Sequence, residues 1–204
     1  MKNKGDYRMD EKLSSKSLKE QIVAMNGVQQ LDMLKRNLVE LTIEDVIYLI
    51  ENLALPDRVK ALKISESKLN FNNPKIVGII GSLQTEDVLY LLERYKDVLN
   101  QETVLDLSNG MNENNLLKVL NIYKNKFDTT SLVGIIKELK GQSQLEALKL
   151  CKENLKSNEI VFFIEKMSVN EQLSAWSFFK EKIPLLAVII FAGITPFFFL
   201  SVIG

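Results

Sequence analysis

Polar or helix-capping clusters recur about every fourteen residues between Thr42 and Glu171, and this rhythm limits the fold more than any other feature of the chain. The clusters are Thr42-Ile-Glu-Asp45, Pro56-Asp57, Asn72-Asn-Pro74, Thr85-Glu-Asp87, Asn100-Gln-Glu102, Asn112-Glu-Asn114, Asp128-Thr-Thr-Ser131, Gly141-Gln-Ser143, Ser157-Asn-Glu159 and Ser168-Val-Asn-Glu171. Short polar side chains accept hydrogen bonds from the amides that open a helix, and carboxylates in its first turn suit the positive end of the dipole. Pro56 and Pro74 fall where a helix start tolerates a missing N–H. Each cluster predicts a helix N-terminus, and the apolar-periodic runs between them predict helices of about ten residues. No stretch has the period-two alternation and turn signals of a sheet.

The units also resemble one another. Leu41-Thr-Ile-Glu-Asp-Val-Ile-Tyr-Leu-Ile-Glu51 returns forty-two residues on as Leu83-Gln-Thr-Glu-Asp-Val-Leu-Tyr-Leu-Leu-Glu93. Ile76-Val-Gly-Ile-Ile80 returns fifty-six residues on as Leu132-Val-Gly-Ile-Ile136. Both intervals are multiples of fourteen, so one helix and one turn form the unit, and two make a helical hairpin. A short amphipathic helix cannot bury its apolar face alone, and stacking neighbours closes a continuous core. The reading is an all-α, α-solenoid-like array; the rival is a compact helical bundle.

Residues 1–16 are polar and rich in Lys and Ser, which predicts a flexible N-terminus without a signal peptide. A helical pattern begins near Ser17 and runs to Leu38, with Gly27 as its weak point. The repeat domain then spans residues 17–182. From Ile183 to Gly204 no charge occurs. At about 1.5 Å per residue these twenty-two residues reach roughly 30 Å, a bilayer core, so they predict a single C-terminal transmembrane anchor. Its apolar residues include Ile183, Leu185, Leu186, Ile190, Phe191, Phe197, Phe198 and Phe199, with Pro184 and Pro196 as kink points. Trp176, Phe179, Lys180 and Lys182 precede it and read either as an interfacial belt or as the last core helix. Lysines ahead of the span place the N-terminal domain in the cytoplasm, and a span at the end of the chain implies post-translational insertion.

Chemistry is sparse. The chain has no histidine and one cysteine, Cys151, in an apolar helical setting that reads as a small buried hydrophobe. The commonest general base and metal ligand are therefore missing, and we expect no enzyme, no cofactor and no metal site. Lys+Arg and Asp+Glu both number 26, which argues against a nucleic-acid partner. Glu44/Asp45 and Glu86/Asp87 read as helix-start charges. Gly78 and Gly134 read as small residues at close helix contacts. Tyr48 and Tyr90 occupy matching places and read as core aromatics with hydroxyls at the rim.

Glu44-Asp-Val-Ile-Tyr-Leu-Ile-Glu51, Glu86-Asp-Val-Leu-Tyr-Leu-Leu-Glu93, Asn158-Glu-Ile-Val-Phe-Phe-Ile-Glu165 and Met167-Ser-Val-Asn-Glu-Gln-Leu173 share an acid-start, paired-apolar pattern. It resembles the cytosolic N-terminal domain of MgtE-type magnesium channels and the helical modules of flagellar-motor switch proteins. The resemblance covers about residues 40–180 and implies a right-handed superhelix of short helices. In those channels the domain senses magnesium and regulates a separate pore. This sequence has neither their nucleotide-binding-type regulatory domain nor a multi-helix pore, and no ion-binding residue carries over.

The expected function is non-catalytic: a tail-anchored repeat protein that docks an unidentified protein partner at the cytoplasmic membrane face. The lipid bilayer is the second partner, and homo-oligomerisation through the transmembrane helix is a further expectation. Two alternatives stand beside it. One is a divalent-cation-sensing or channel-regulatory subunit; the other is a tail-anchored helical regulator of membrane permeability or cell death.

Overall fold

The computed structural model describes residues 20–183, and among these residues it contains helices and no strand. After a helical turn at residues 20–23 come α1 (Gly27–Asn37), α2 (Ile43–Asn52), α3 (Leu55–Ile64) and α4 (Pro74–Gly81). There follow α5 (Thr85–Arg94), α6 (Gln101–Ser108), α7 (Glu113–Tyr123), α8 (Thr129–Glu138), α9 (Gly141–Leu150), α10 (Ser157–Ile164) and α11 (Val169–Phe179). All ten predicted starts open a helix. The side chains of Thr42, Asn73, Asn100, Asn112 and Asp128 accept from amides of the first turn. At α11 the Ser168 amide donates to Glu171 Oε2 at 2.8 Å.

The stretch from Ser17 to Leu38 is not one helix weakened at Gly27. Asn26 Oδ1 accepts from the Gln29 amide at 3.2 Å, and Gln29 Oε1 accepts from the Asn26 amide at 3.4 Å. This reciprocal cap starts α1 at Gly27. A Cβ there would stand 2.6 Å from Asp57 Oδ2, so glycine lets the α1 start approach α3.

Two kinds of turn alternate, each plugged by an apolar side chain. Leu41, Leu69, Leu99, Phe127, Leu155 and Ile183 are buried in the first kind; Leu53, Leu83, Leu139 and Met167 are buried in the second. Neighbouring plugs stand twelve or sixteen residues apart over most of the chain, so fourteen is a mean and the true repeat is a 28-residue hairpin. Across one place the interval is thirty, from Leu53 to Leu83 and from Leu69 to Leu99, because the turn between α3 and α4 is longer and buries Phe71 as well. In this frame the forty-two-residue match pairs a first helix of a hairpin (α2) with a second helix (α5). The fifty-six-residue match pairs two first helices, α4 and α8.

First helices bury one three-residue pattern. It is Val46/Leu49/Ile50 in α2, Ile76/Ile79/Ile80 in α4, Val104/Leu107/Ser108 in α6, Leu132/Ile135/Ile136 in α8 and Ile160/Phe163/Ile164 in α10. These i, i+3, i+4 sets form one helical stripe, and each large apolar side chain so buried contributes about 1.5–3 kcal/mol. Second helices end on a buried residue just past or at the last turn: Ser65, Tyr95, Tyr123, Cys151 and Phe179. Cys151 is fully buried, as expected, and burial pushes its thiol up to about 11.

The described chain divides into two compact units between Asp87 and Val88, inside α5. In the first, α1 packs on α3, and α2 packs on α3 and α4. In the second, α7 packs on α8 and α9, α9 also packs on α8 and α11, and α10 packs on α11. Within each unit the main partners are thus the next helix and the next but one.

Side chains from one repeat also close the helix ends of the one before. Lys68 Nζ donates to the carbonyls of Leu38 at 2.7 Å and Val39 at 3.3 Å, and to that of Leu41. Lys126 Nζ donates to the Lys96 carbonyl and Lys182 Nζ to that of Lys152. The Tyr123 hydroxyl donates to the Leu92 carbonyl at 2.7 Å. Burial, then the nearby Glu93 and Asp97 charges, raise its pKa far above the ordinary phenol value, so it stays a donor. Within hairpins a second device recurs at one repeat position. Arg58 Nε donates to the Leu53 carbonyl, Gln144 Nε2 to those of Ile136 and Leu139, and Gln172 Nε2 to those of Glu165 and Met167.

Two measurements test these energetics. The Ser65 hydroxyl is buried with no hydrogen-bond partner, at the position Tyr, Cys and Phe fill elsewhere. Replacing it removes an unsatisfied polar group, so Ser65→Ala should raise the unfolding free energy by about 1 kcal/mol in a urea titration. Asp128 is held below the usual carboxylate range by its bond from Gln101, then by those from Ser131; Glu171 is held low by Ser168. Both values fall on folding, so the stability they add is present above about pH 4 and is lost as pH drops through the lower folded values. Melting temperature should therefore fall on acidification below about pH 4, and fall less in Asp128→Asn, which keeps a capping oxygen without titrating.

Candidate interaction surface

The outer side of the first helices carries the most varied chemistry. Aligned on the 28-residue frame, one exposed position holds Tyr48 in α2, Gly78 in α4, Asp106 in α6, Gly134 in α8 and Phe162 in α10. The packing stripe one residue away hardly changes, so folding does not account for this variety.

Two grooves flank α8. The first, about 760 Å³, lies between α6 and α8 and reaches the start of α7. Its apolar lining is Leu105, Met111, Leu116 and Ile135, and its charges are Asp106, Glu113 and Glu138. No lysine or arginine lines it. The second, about 520 Å³, lies between α8 and α10 and is lined by Thr129, Thr130, Val133, Lys137, Lys156, Asn158, Glu159, Phe162 and Phe163. Its one carboxylate is engaged, since Glu159 Oε2 accepts from the Lys156 amide at 2.7 Å. Lys166 Nζ stands 3.8 Å from the Phe162 ring centroid and Lys137 Nζ 5.8 Å, so two cations flank an aromatic that is 41% exposed.

Helical geometry explains the pair of grooves. Ser131, Gly134, Ile135 and Glu138 face the first, while Thr130, Val133 and Lys137 face the second. These are two adjacent stripes of one helix, and Gly134 lies on the crest between them. A Cβ on Gly134 would meet nothing within 4 Å, and the same holds for Gly78. Both glycines are exposed. They are not close-packing sites, contrary to the sequence expectation; they are bare places on the outer face.

The remaining predicted residues are placed as follows. Glu44 and Asp45 stand in the first turn of α2, and Glu86 and Asp87 in that of α5, as helix-start charges. Asp45 Oδ2 accepts from the Thr42 hydroxyl at 2.7 Å. Tyr48 and Tyr90 are 40% and 41% exposed and sit on different helix classes of the hairpin, so they are neither core residues nor equivalent ones. Among the described residues no three His, Cys, Asp or Glu side chains converge on a common point, and no helix is long and apolar enough to cross a membrane.

Of the expected belt, Trp176 is half-buried and Lys180 exposed. Phe179 is fully buried, which makes it a core residue of α11 rather than a lipid-facing one. Lys182 is committed to the Lys152 carbonyl. Ile183, expected to open the span, is buried at 5% exposure, and its amide donates to the Phe179 carbonyl at 2.9 Å. Among the described residues it is the last plug of the repeat frame. Pro184, Leu185, Leu186, Ile190, Phe191, Pro196, Phe197, Phe198 and Phe199 lie outside the described residues.

No protein-family model, curated protein or solved structure matches the chain. The surface is therefore read from its own chemistry. Asp106, Lys137, Lys156 and Phe162 are groove residues that sequence periodicity did not single out. Laying the first helices on a 28-residue frame would have exposed them as the places where repeats differ.

An exposed glycine in mid-helix costs about 0.5–1 kcal/mol relative to alanine. Because added methyl groups meet open space, Gly134→Ala and Gly78→Ala should each raise stability by about that amount in chemical denaturation.

Proposed function

We propose that the chain is a non-catalytic helical-repeat protein that docks a protein partner at the cytoplasmic face of a membrane, tethered by residues 184–204. The observation that carries the docking half is the pair of grooves flanking α8, where repeat positions depart from one another while the buried stripe stays constant. Neighbour and next-neighbour packing supports an α-solenoid architecture, in which such grooves recur along the first-helix side. The likeness of the α2, α5 and α10 sequences to the MgtE helical domain supports the same architecture.

The tether half is supported by composition. No charged residue occurs after Lys182. A chain held at a bilayer meets membrane-bound partners at raised effective concentration, so shallow grooves of modest affinity suffice.

Removing residues 184–204 leaves the last plug and the Lys182 bond in place. The full chain, expressed in cells, should remain with membranes washed in alkaline carbonate, and the shortened chain should appear in the supernatant and still give a helical circular-dichroism spectrum. Retention of the shortened chain on washed membranes, or release of the full one, would remove the tether.

A further inference from the structure

The grooves flanking α8 differ in sign, and the crest between them is bare. The α6/α8 groove offers three carboxylates over an apolar floor. None of Asp106, Glu113 and Glu138 is in an ion pair with another described residue. The α8/α10 groove offers Lys137 and Lys156, with Lys166 over the Phe162 ring. Its Glu159 is turned to its own helix start. A side chain at position 134 would stand as a ridge between the two. Glycine is a costly residue in mid-helix, and here no close approach within the fold calls for it.

We infer that the two grooves form one trough across α8, and that it takes a short extended peptide segment of a protein partner with opposite charges at its two ends. A basic side chain of the segment would enter the groove whose walls carry Asp106, Glu113 and Glu138. An acidic one would sit between Lys137 and Lys156. Apolar side chains between them would lie on Ile135, Val133 and Phe162. Both grooves border α8, so their centres are separated by about one helix diameter, roughly 10–12 Å with side chains. Extended chain covers about 3.3 Å per residue, so the two charges are about three residues apart. A segment of one charge sign is rejected, because one of its ends would meet like charge. The inference rests on the docking half of the proposed function and names the chemistry of that partner.

The test is selection of random dodecapeptides displayed on phage against the full chain captured through an N-terminal tag in mild detergent, with the bare capture surface as the blank. Enriched peptides are then made with a fluorescent label and titrated by anisotropy. The expected result is enrichment of a basic and an acidic residue about three apart around apolar residues, with affinity that weakens as salt rises. The Lys137→Glu/Lys156→Glu double variant should change the preference at the acidic position to a basic one. Gly134→Leu should weaken binding about tenfold while its melting temperature does not fall. No enrichment over the blank, enrichment without a charge pattern, or a pattern indifferent to the double variant would overturn the inference. So would self-association of the chain that Gly134→Leu abolishes, since the occupant would then be a second copy. The selection does not depend on the tail and the carbonate wash does not depend on the groove, so the two readings fail separately.

Discussion

Short helices are mostly ends. Each α-helix leaves four amides and four carbonyls without an intrahelical partner, and here the helices run from eight to eleven residues. A large share of the backbone would be unsatisfied if nothing else bonded to it. The structure answers at both termini. Amides are met locally, by Thr42, Asn100, Asn112 and Asp128 a few residues away. Carbonyls are met from a distance, by Lys68, Lys126 and Lys182 one repeat later and by Arg58, Gln144 and Gln172 across the turn. The stacking of hairpins and the satisfaction of their ends are one event, because each reach-back needs the next hairpin in place.

Burial follows the same plan. The apolar plugs at Leu41, Leu99, Phe127 and Leu155 bury one large side chain in each of the turns that Lys68, Lys126 and Lys182 reach or border. The end residue of each second helix varies: Tyr123 carries a bond to the Leu92 carbonyl, Phe179 fills the place with a ring alone, and Cys151 and Ser65 are small. Ser65 is the weak member, with a hydroxyl in an apolar site and no acceptor within reach.

Helix starts were legible in the sequence because capping chemistry is local: the donor lies two or three residues from the acceptor, as for Asp128 and Ser131. All-α character followed from the same signal. The hairpin period was less legible. Turns of two kinds alternate, and an average spacing conceals the alternation, so Tyr48 and Tyr90 were paired across helix classes. The setting of Gly78 and Gly134 is hidden from the sequence for a different reason. Whether a glycine is needed for contact is a tertiary fact, and nothing approaches either one. The lysine reach-backs, about thirty residues long, gave no local signal. The candidate trough was the least legible part, since Asp106, Lys137 and Phe162 look like ordinary solvated residues until α6, α8 and α10 stand side by side. Phe179 and Ile183 show the same limit from the other direction: their apolar character was correct, but only packing assigns them to the core.

The reach-back bonds bear on how the chain gains and loses its structure. Nearly all the stabilising contacts described here link residues within about one hairpin of each other, so loop closures are short and folding should be rapid for the length. The same locality weakens cooperativity between distant parts. The proposed α-solenoid implies coupled near-neighbour units, in which the first hairpin to open is the one whose bonds to its neighbour are fewest. Each lysine is therefore a coupling between adjacent units as much as a cap. Changing Lys126 would alter the sharpness of the melting transition in the second unit as well as its midpoint, because the hairpins it joins would begin to open independently.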